Sequence, residues 1–135
     1  MSGLDQKSKT AWTLSCQASD LEDEGRIASA VSVYGRASHL DDVYAQSNLG
    51  NLLDDKLKPR RSAEAVYWYK RSVRGGNGNG AWNLAIHYRN EGRGASFRYW
   101  VRVAARMGNQ DALELGAKRS RSHPVLRLAA PSPFP

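Results

Sequence analysis

Cysteine is all but missing from this chain: Cys16 stands alone among 135 residues. A single thiol excludes an internal disulfide and any paired-cysteine zinc or redox motif. Long apolar runs are missing too. Mean hydropathy is −0.61, and no uninterrupted hydrophobic stretch approaches the ~20 residues of a membrane span. Thr13, Ser15, Gln17 and Asp20 break the apolar positions near the start, so no secretory hydrophobic region forms and a cytoplasmic location is expected. Histidine is scarce. His39, His87 and His123 lie 48 and 36 residues apart with no second ligand at helical spacing, whereas zinc needs several converging nitrogen or sulfur donors. His87, beside Tyr88, reads as a surface or groove residue, and no metal or other cofactor is expected.

Nor do the residues of a reaction centre converge. The stretch around Cys16, "AWTLSCQASDL", contains no base that would activate the thiol, and Cys16 is expected to pack as a small hydrophobe. The segment "RGGNGNG" at 74–80 lacks the Lys-Ser/Thr of a phosphate-binding loop and follows no strand, so it reads as an interhelical turn. The acidic group Asp20, Glu22, Asp23 and Glu24 falls at a helix boundary, where carboxylates favour the next N-terminus. With no acid, base and nucleophile together, the expectation is a protein that is not an enzyme.

What the chain does have is an ordinary globular balance, 41% hydrophobic and 24% charged, in a length suited to one domain with a single core. Its net charge of +7 is unevenly spread. Residues 1–55 hold four basic against nine acidic side chains, a net of −5, and residues 56–135 hold sixteen against four, a net of +12. Such polarity suits an acidic partner for the second half, or a solvated basic face with a basic tail.

The sequence also repeats. Leu14, Leu49 and Leu84 are spaced by 35 and 35 residues, each followed by Ser or a small residue. A second series, Val33, Trp68 and Trp100, is spaced by 35 and 32, and each member precedes Asp41, Gly76 or Gly108 by eight. Two interleaved series at one period imply a two-element repeat. The three residues lost in the third unit fall between "DDKLKPRRSAEA" and its counterpart "NEGRGAS", a loop where deletions are tolerated. Within each half-unit the apolar positions recur three and four apart, as in Ala81, Leu84, Ala85 and Tyr88, which predicts helices rather than strands. The expected helices cover 8–22, 25–39, 43–54, 62–74, 79–90, 95–107 and 110–118: three pairs and a closing helix. Ser62 and Asn79 are the expected N-caps, and Gly75, Gly76 and Gly108 the expected left-handed helix ends. Pro59 blocks helix before 62.

The strings "AQSNLGNLL" (45–53), "AEAVYWYKRSVRGG" (63–76), "GAWNLAIHY" (80–88) and "FRYWVRVAARMGNQDA" (97–112) resemble the Sel-one-like repeat, a relative of the tetratricopeptide repeat. The shared pattern is Ala-x-x-Asn-Leu-Gly, a loop, Ala-x-x-Trp-Tyr, then small residues and Gly. It spans roughly residues 8–118, is weakest in the first unit, and slips by one residue at Ala112–Leu115, so the last helix resembles a degenerate cap. The resemblance implies an all-α, short right-handed superhelix that serves as a protein-interaction scaffold, in a family abundant in bacteria.

Stacked helical pairs leave an extended concave face lined by the first helix of each pair. With Leu49, Leu53, Leu84 and Tyr88 in the core, that face carries Tyr44, Asn48, Asn51 and Asp55 from one unit and Asn79, Asn83, Ile86 and Asn90 from the next. Amides both donate and accept, which suits a protein or peptide partner's backbone. Asn48 and Asn83 also match the repeat signature, so bonding within the stack is the other reading of those two. Trp68 and Trp100 match the signature and are expected in the core. Trp12 and Trp82 each stand two residues before a signature leucine and are the candidate anchoring aromatics. Arg98, Arg102 and Arg106 recur every four residues on one helix face; with Arg89 and Arg93 they form either a basic patch for nucleic acid or another anionic surface, or the solvated outer face of a helix. Residues 1–7 are expected to be a flexible start. Residues 119–135, rich in proline and arginine, are expected to be a flexible tail in which Val125, Leu126, Leu128 and Phe134 could dock.

Overall fold

The computed structural model describes residues 5–122, and among them every regular element is a helix: α1 Gln6–Asp23, α2 Ile27–His39, α3 Val43–Asn51, α4 Ser62–Arg74, α5 Gly78–Asn90, α6 Gly94–Arg106 and α7 Gln110–Ser122. A π turn, Leu52–Lys56, extends α3. None of these helices is long and apolar enough to cross a membrane. Helix α1 begins at Gln6 rather than 8, because the Asp5 side chain accepts from the Ser8 N–H and closes the first turn. At the other end α7 continues to Ser122, so residues 119–122 are helical and the expected tail boundary at 119 moves outward. Val125, Leu126, Leu128 and Phe134 lie outside the described residues.

One turn chemistry ends five of the seven helices. Gly25, Asp41, Gly76, Gly92 and Gly108 all have positive φ. In each, the N–H of the left-handed residue returns to the carbonyl three back, and the next N–H to the carbonyl five back. Gly76 N–H to Val73 at 2.9 Å and Asn77 N–H to Ser72 at 3.0 Å are one instance. These bonds satisfy carbonyls that a helix end would leave without donors. Asp41, which occupies the glycine position of its unit, adopts φ 64°, a conformation that short polar side chains tolerate better than most. The expected left-handed Gly75 is not one; it borders Val43, with no room for a Cβ.

The residue after three of these reversals caps the helix that follows. The Asp42 carboxylate accepts from the N–H groups of Tyr44 and Ala45, the Asn77 carbonyl from Asn79, and the Asn109 carbonyl from Ala112. Asn77 therefore replaces the expected Asn79 as the cap of α5, its side chain fitting the reversal one step earlier. Ser62 is the first residue of α4 and not its cap; Arg61 precedes the helix without a side-chain bond to it. Asn77 also donates to the Ser72 hydroxyl at 2.9 Å and the Val43 carbonyl at 3.2 Å. One buried amide thus joins α3, the end of α4 and the start of α5.

Packing runs along the chain, each helix against the next, with α3 also touching α5. Leu49, Leu53, Leu84 and Trp68 are buried in a core that extends from α1 to α5, and Tyr88 packs half-buried against it. A second cluster, Ala81, Ala85, Val101, Ala104 and Ala112, joins α5 to α7. Trp100 is half-buried between the two clusters rather than fully enclosed. Alanine and glycine at the contacts bring the axes close. A Cβ on Gly50 would lie inside the Tyr69 ring, which is itself buried and donates its hydroxyl to the Asn51 side chain at 2.9 Å. Outside the core, Asp41 receives Lys7 from α1 and Arg71 from α4. Lys7 first and Arg71 second hold its carboxyl below the ordinary value. That tie is present above pH ~4 and is lost as the pH falls through the lowered value.

Cys16 is exposed, against the expectation that it packs as a small hydrophobe. On α1 the buried residues are Ala11, Leu14 and Ala18, and Cys16 falls on the opposite side of that stripe.

Two substitutions separate the constraints on glycine. Gly50→Ala should cost about 1–3 kcal/mol because the Tyr69 ring has nowhere to move, whereas Gly35→Ala, in mid-helix with open space around the new methyl, should gain up to about 1 kcal/mol. Urea unfolding followed by circular dichroism distinguishes them. Leu84→Ala, emptying a fully buried position between helices, should cost about 2–5 kcal/mol in the same measurement.

Candidate functional site

The irregular passage from α3 to α4 builds one wall of a polar hollow. Where other helices end in a left-handed residue, α3 widens into the π turn, and the Leu57 N–H returns to the Leu52 carbonyl at 2.7 Å. The chain then runs through Lys58, Pro59 and Arg60 before α4 starts. Between this passage and α5 lies an open groove of about 590 Å³. Five residues expected on the binding face line it: Asn51, Asp55, Asn83, Ile86 and Asn90.

A charged network forms the wall of the groove. His87, 5% exposed, places Nδ1 3.0 Å from one oxygen of Asp54. Arg60 donates to the other oxygen of Asp54 at 2.8 Å and reaches Glu91 at 2.8 Å. Lys56 crosses to Glu22 at the end of α1, at 2.9 Å. The network links α1, the π turn and α5, and the hydrogen bonds to Asp54 and Glu22 are what raise the affinity of Arg60 and Lys56 for their protons. Burial pushes the Tyr69 hydroxyl far up, with Asp54 and Asp55 adding to the effect, so Tyr69 stays a neutral donor to Asn51. Among the described residues, Asn83 and Asn90 have no side-chain hydrogen bond, and they leave amide groups at the groove surface.

His87 lines the groove, one of the two places expected for it, but as a buried side chain rather than an exposed one. Its ring is enclosed because Asp54, 33 residues earlier, supplies the polar partner that makes burial tolerable. Helical periodicity contains no trace of that pairing, and Asp54, Arg60 and Glu22 were likewise outside the expected site. The charge density of "DDKLKPRR" is the one local signal that marks the segment.

The remaining expected residues are placed elsewhere. Asn48 is half-buried on α3; burial pushes the Tyr34 hydroxyl up, and Ser19 and Asn48 beside it offset the rise in part. Asn79 is exposed and accepts from the Asn109 amide at 2.9 Å. Tyr44 is exposed at the start of α3, outside the groove. Trp82 is half-buried against the α5–α7 cluster, while Trp12 stands free on α1 with 69% of its surface exposed. Of the basic patch, Arg93 lies over the Tyr88 ring at 5.0 Å, Arg89 and Arg106 are exposed, and Arg98 and Arg102 border a notch between α6 and α7. Among the described residues no group of three or more His, Cys, Asp or Glu side chains is placed to hold a metal ion.

No family model, no curated protein and no solved structure matches this chain.

Truncating the wall should matter more for stability than its position suggests. Asp54→Ala leaves the buried imidazole without its acceptor and Arg60 with Glu91 alone and should cost about 1.5–3 kcal/mol, whereas Glu91→Ala, removing one half-exposed partner of Arg60, should cost under about 1 kcal/mol. Thermal unfolding at neutral pH measures both.

Proposed function

We propose that this chain is a non-enzymatic adaptor of the Sel-one-like kind, a short right-handed helical superhelix acting in the bacterial cytoplasm, which holds an extended peptide segment of a partner protein in the groove between the π turn and α5. The observation that carries this reading is the convergence of Asn51, Asp55, Asn83, Ile86 and Asn90 on one open groove. Ile86 offers an apolar seat, and Asn83 and Asn90 offer amides that pair with a peptide's N–H and C=O groups. The fixed charges alongside are already partnered within the wall, so they add orientation at little cost in desolvation. A tagged pull-down from the native host with mass spectrometry, with and without nuclease, identifies the partner. The paired substitution Asn83→Ala with Asn90→Ala then tests the groove: binding should fall at least tenfold, about 1.4 kcal/mol or more, with the helical spectrum unchanged. Parent-like binding would remove the groove from the mechanism.

The runner-up is nucleic-acid binding through the basic second half, favoured by the exposure of Arg98, Arg102 and Arg106 on α6. Three phosphate contacts to duplex DNA would give a log–log salt slope of roughly −3. Anisotropy of mixed-sequence DNA and RNA should instead show weak binding that vanishes near physiological salt. Sub-micromolar binding that persists there, and that collapses when the three arginines become glutamines, would reverse the order of the two readings.

A further inference from the structure

The notch between α6 and α7 lies on a different surface from the groove and has its own chemistry. Val101, Ala105 and Leu115 form an apolar floor of about 200 Å³, and Arg98, Arg102 and Arg119 stand around it. None of the lining side chains is acidic, and among the described residues no carboxylate holds any of the three arginines. A small apolar hollow ringed by unneutralised guanidiniums calls for an occupant with one large apolar group and carboxylates about two turns away.

Helix α1 carries that pattern. Trp12, Cys16, Asp20 and Asp23 are all exposed and lie on the side of α1 opposite its buried stripe of Ala11, Leu14 and Ala18. Trp12 has no covering residue, at 69% exposure; among the described residues Asp20 has no cation partner, and Asp23 forms no ion pair, with Lys56, which is paired to Glu22, exerting only a minor attraction on it. Lys9 sits one turn before Trp12, at the end of the strip away from the carboxylates. The lengths agree. Eight residues from Trp12 to Asp20 span about 12 Å of helix, and seven from Arg98 to Ala105 about 10 Å. With Trp12 over the Ala105 end of the notch, Asp20 and Asp23 come to Arg98 and its neighbours. The whole-chain charge division, −5 before residue 56 and +12 after it, favours the same pairing.

We propose that the exposed face of α1 in one copy docks in the α6–α7 notch of another, joining copies head to tail. The two surfaces are different patches, so each copy keeps one of each free and the contact propagates into open chains unless its rotation closes a ring. Aromatic burial supplies the anchor, and the ion pairs set partner and orientation.

Sedimentation velocity of the full chain over a wide concentration range at low salt tests this. The mean mass should rise past the dimer with concentration, and alkylation of Cys16, one turn from Trp12, should slow in parallel. Raising the salt to about 1 M, where screening acts within ~3 Å, should weaken association at least tenfold. So should Trp12→Ala, and so should Arg98→Glu combined with Arg102→Glu, each checked for an unchanged helical spectrum. Asp20→Lys combined with Asp23→Lys should do likewise, and mixing the two charge-reversed proteins should restore assembly between them. A chain that stays monomeric throughout overturns the proposal, including the case in which residues 123–135 or a different protein take the notch. Assembly indifferent to these substitutions, or a mixture that fails to assemble, also overturns it.

Discussion

The sharp reversal at the helix ends is the constraint on which the rest of the molecule depends. A left-handed residue at Gly25, Asp41, Gly76, Gly92 or Gly108 returns two N–H groups to the helix just completed and sends the chain back within two residues. Because the next residue at Asp42, Asn77 and Asn109 has a side-chain acceptor, the following helix starts at once with its first N–H groups satisfied. Short reversals keep consecutive helices adjacent, and adjacency lets alanine and glycine contacts form a core in a chain with only two phenylalanines. Asn77 shows how far the arrangement is shared: one side chain caps α5 while its amide bonds α3 and the end of α4.

Among the helices followed by another, α3 ends without this device, and there the candidate site arises. Widening the end of α3 into a π turn, followed by a longer passage through Pro59, opens a hollow that a tight reversal would close. It also brings Asp54 into the interior, where a carboxylate is tolerable only with partners. His87 and Arg60 supply them, so the departure from the common turn is compensated by a polar network that fixes the groove's wall.

Much of the fold is legible in sequence because it follows from local period. The leucine series at 14, 49 and 84 marks buried positions in three helices, and α4 runs over the expected residues, 62–74. The glycine series marks left-handed turns even where aspartate stands in. What is not legible depends on partners distant in the chain. His87 reads as a surface or groove residue, and only Asp54 beside it accounts for its burial in the groove wall; Cys16 reads as a core residue until the phase of α1 is fixed by which face meets α2. Caps shift by two residues at Asn77 because the reversal and the cap compete for adjacent positions. Five of the nine residues expected on a binding face line one groove, because helical phase places Asn83, Ile86 and Asn90 together. Asn48, Asn79 and Trp82 were drawn into contacts between neighbouring helices, which no single helix predicts.

Positions that recur within the sequence serve two demands, and the structure separates them by whether a neighbour follows. Trp12 and Trp82 stand at corresponding points before a signature leucine. Trp82 has the α5–α7 cluster to pack against and is half-buried, whereas Trp12 has none and remains in solvent. The same holds for arginine: Arg93 finds the Tyr88 ring, while Arg98 and Arg102 face a notch whose far side is only α7. Because each helix packs against the next along the chain, the inner helices are covered on both sides while α1 and α7 each lack one neighbour. An exposed aromatic with two carboxylates at one end, and an apolar notch with three cations at the other, are what such a chain leaves over. Opposite charge at the two ends makes the leftover surfaces fit each other rather than themselves, which favours a directional contact over a symmetric one.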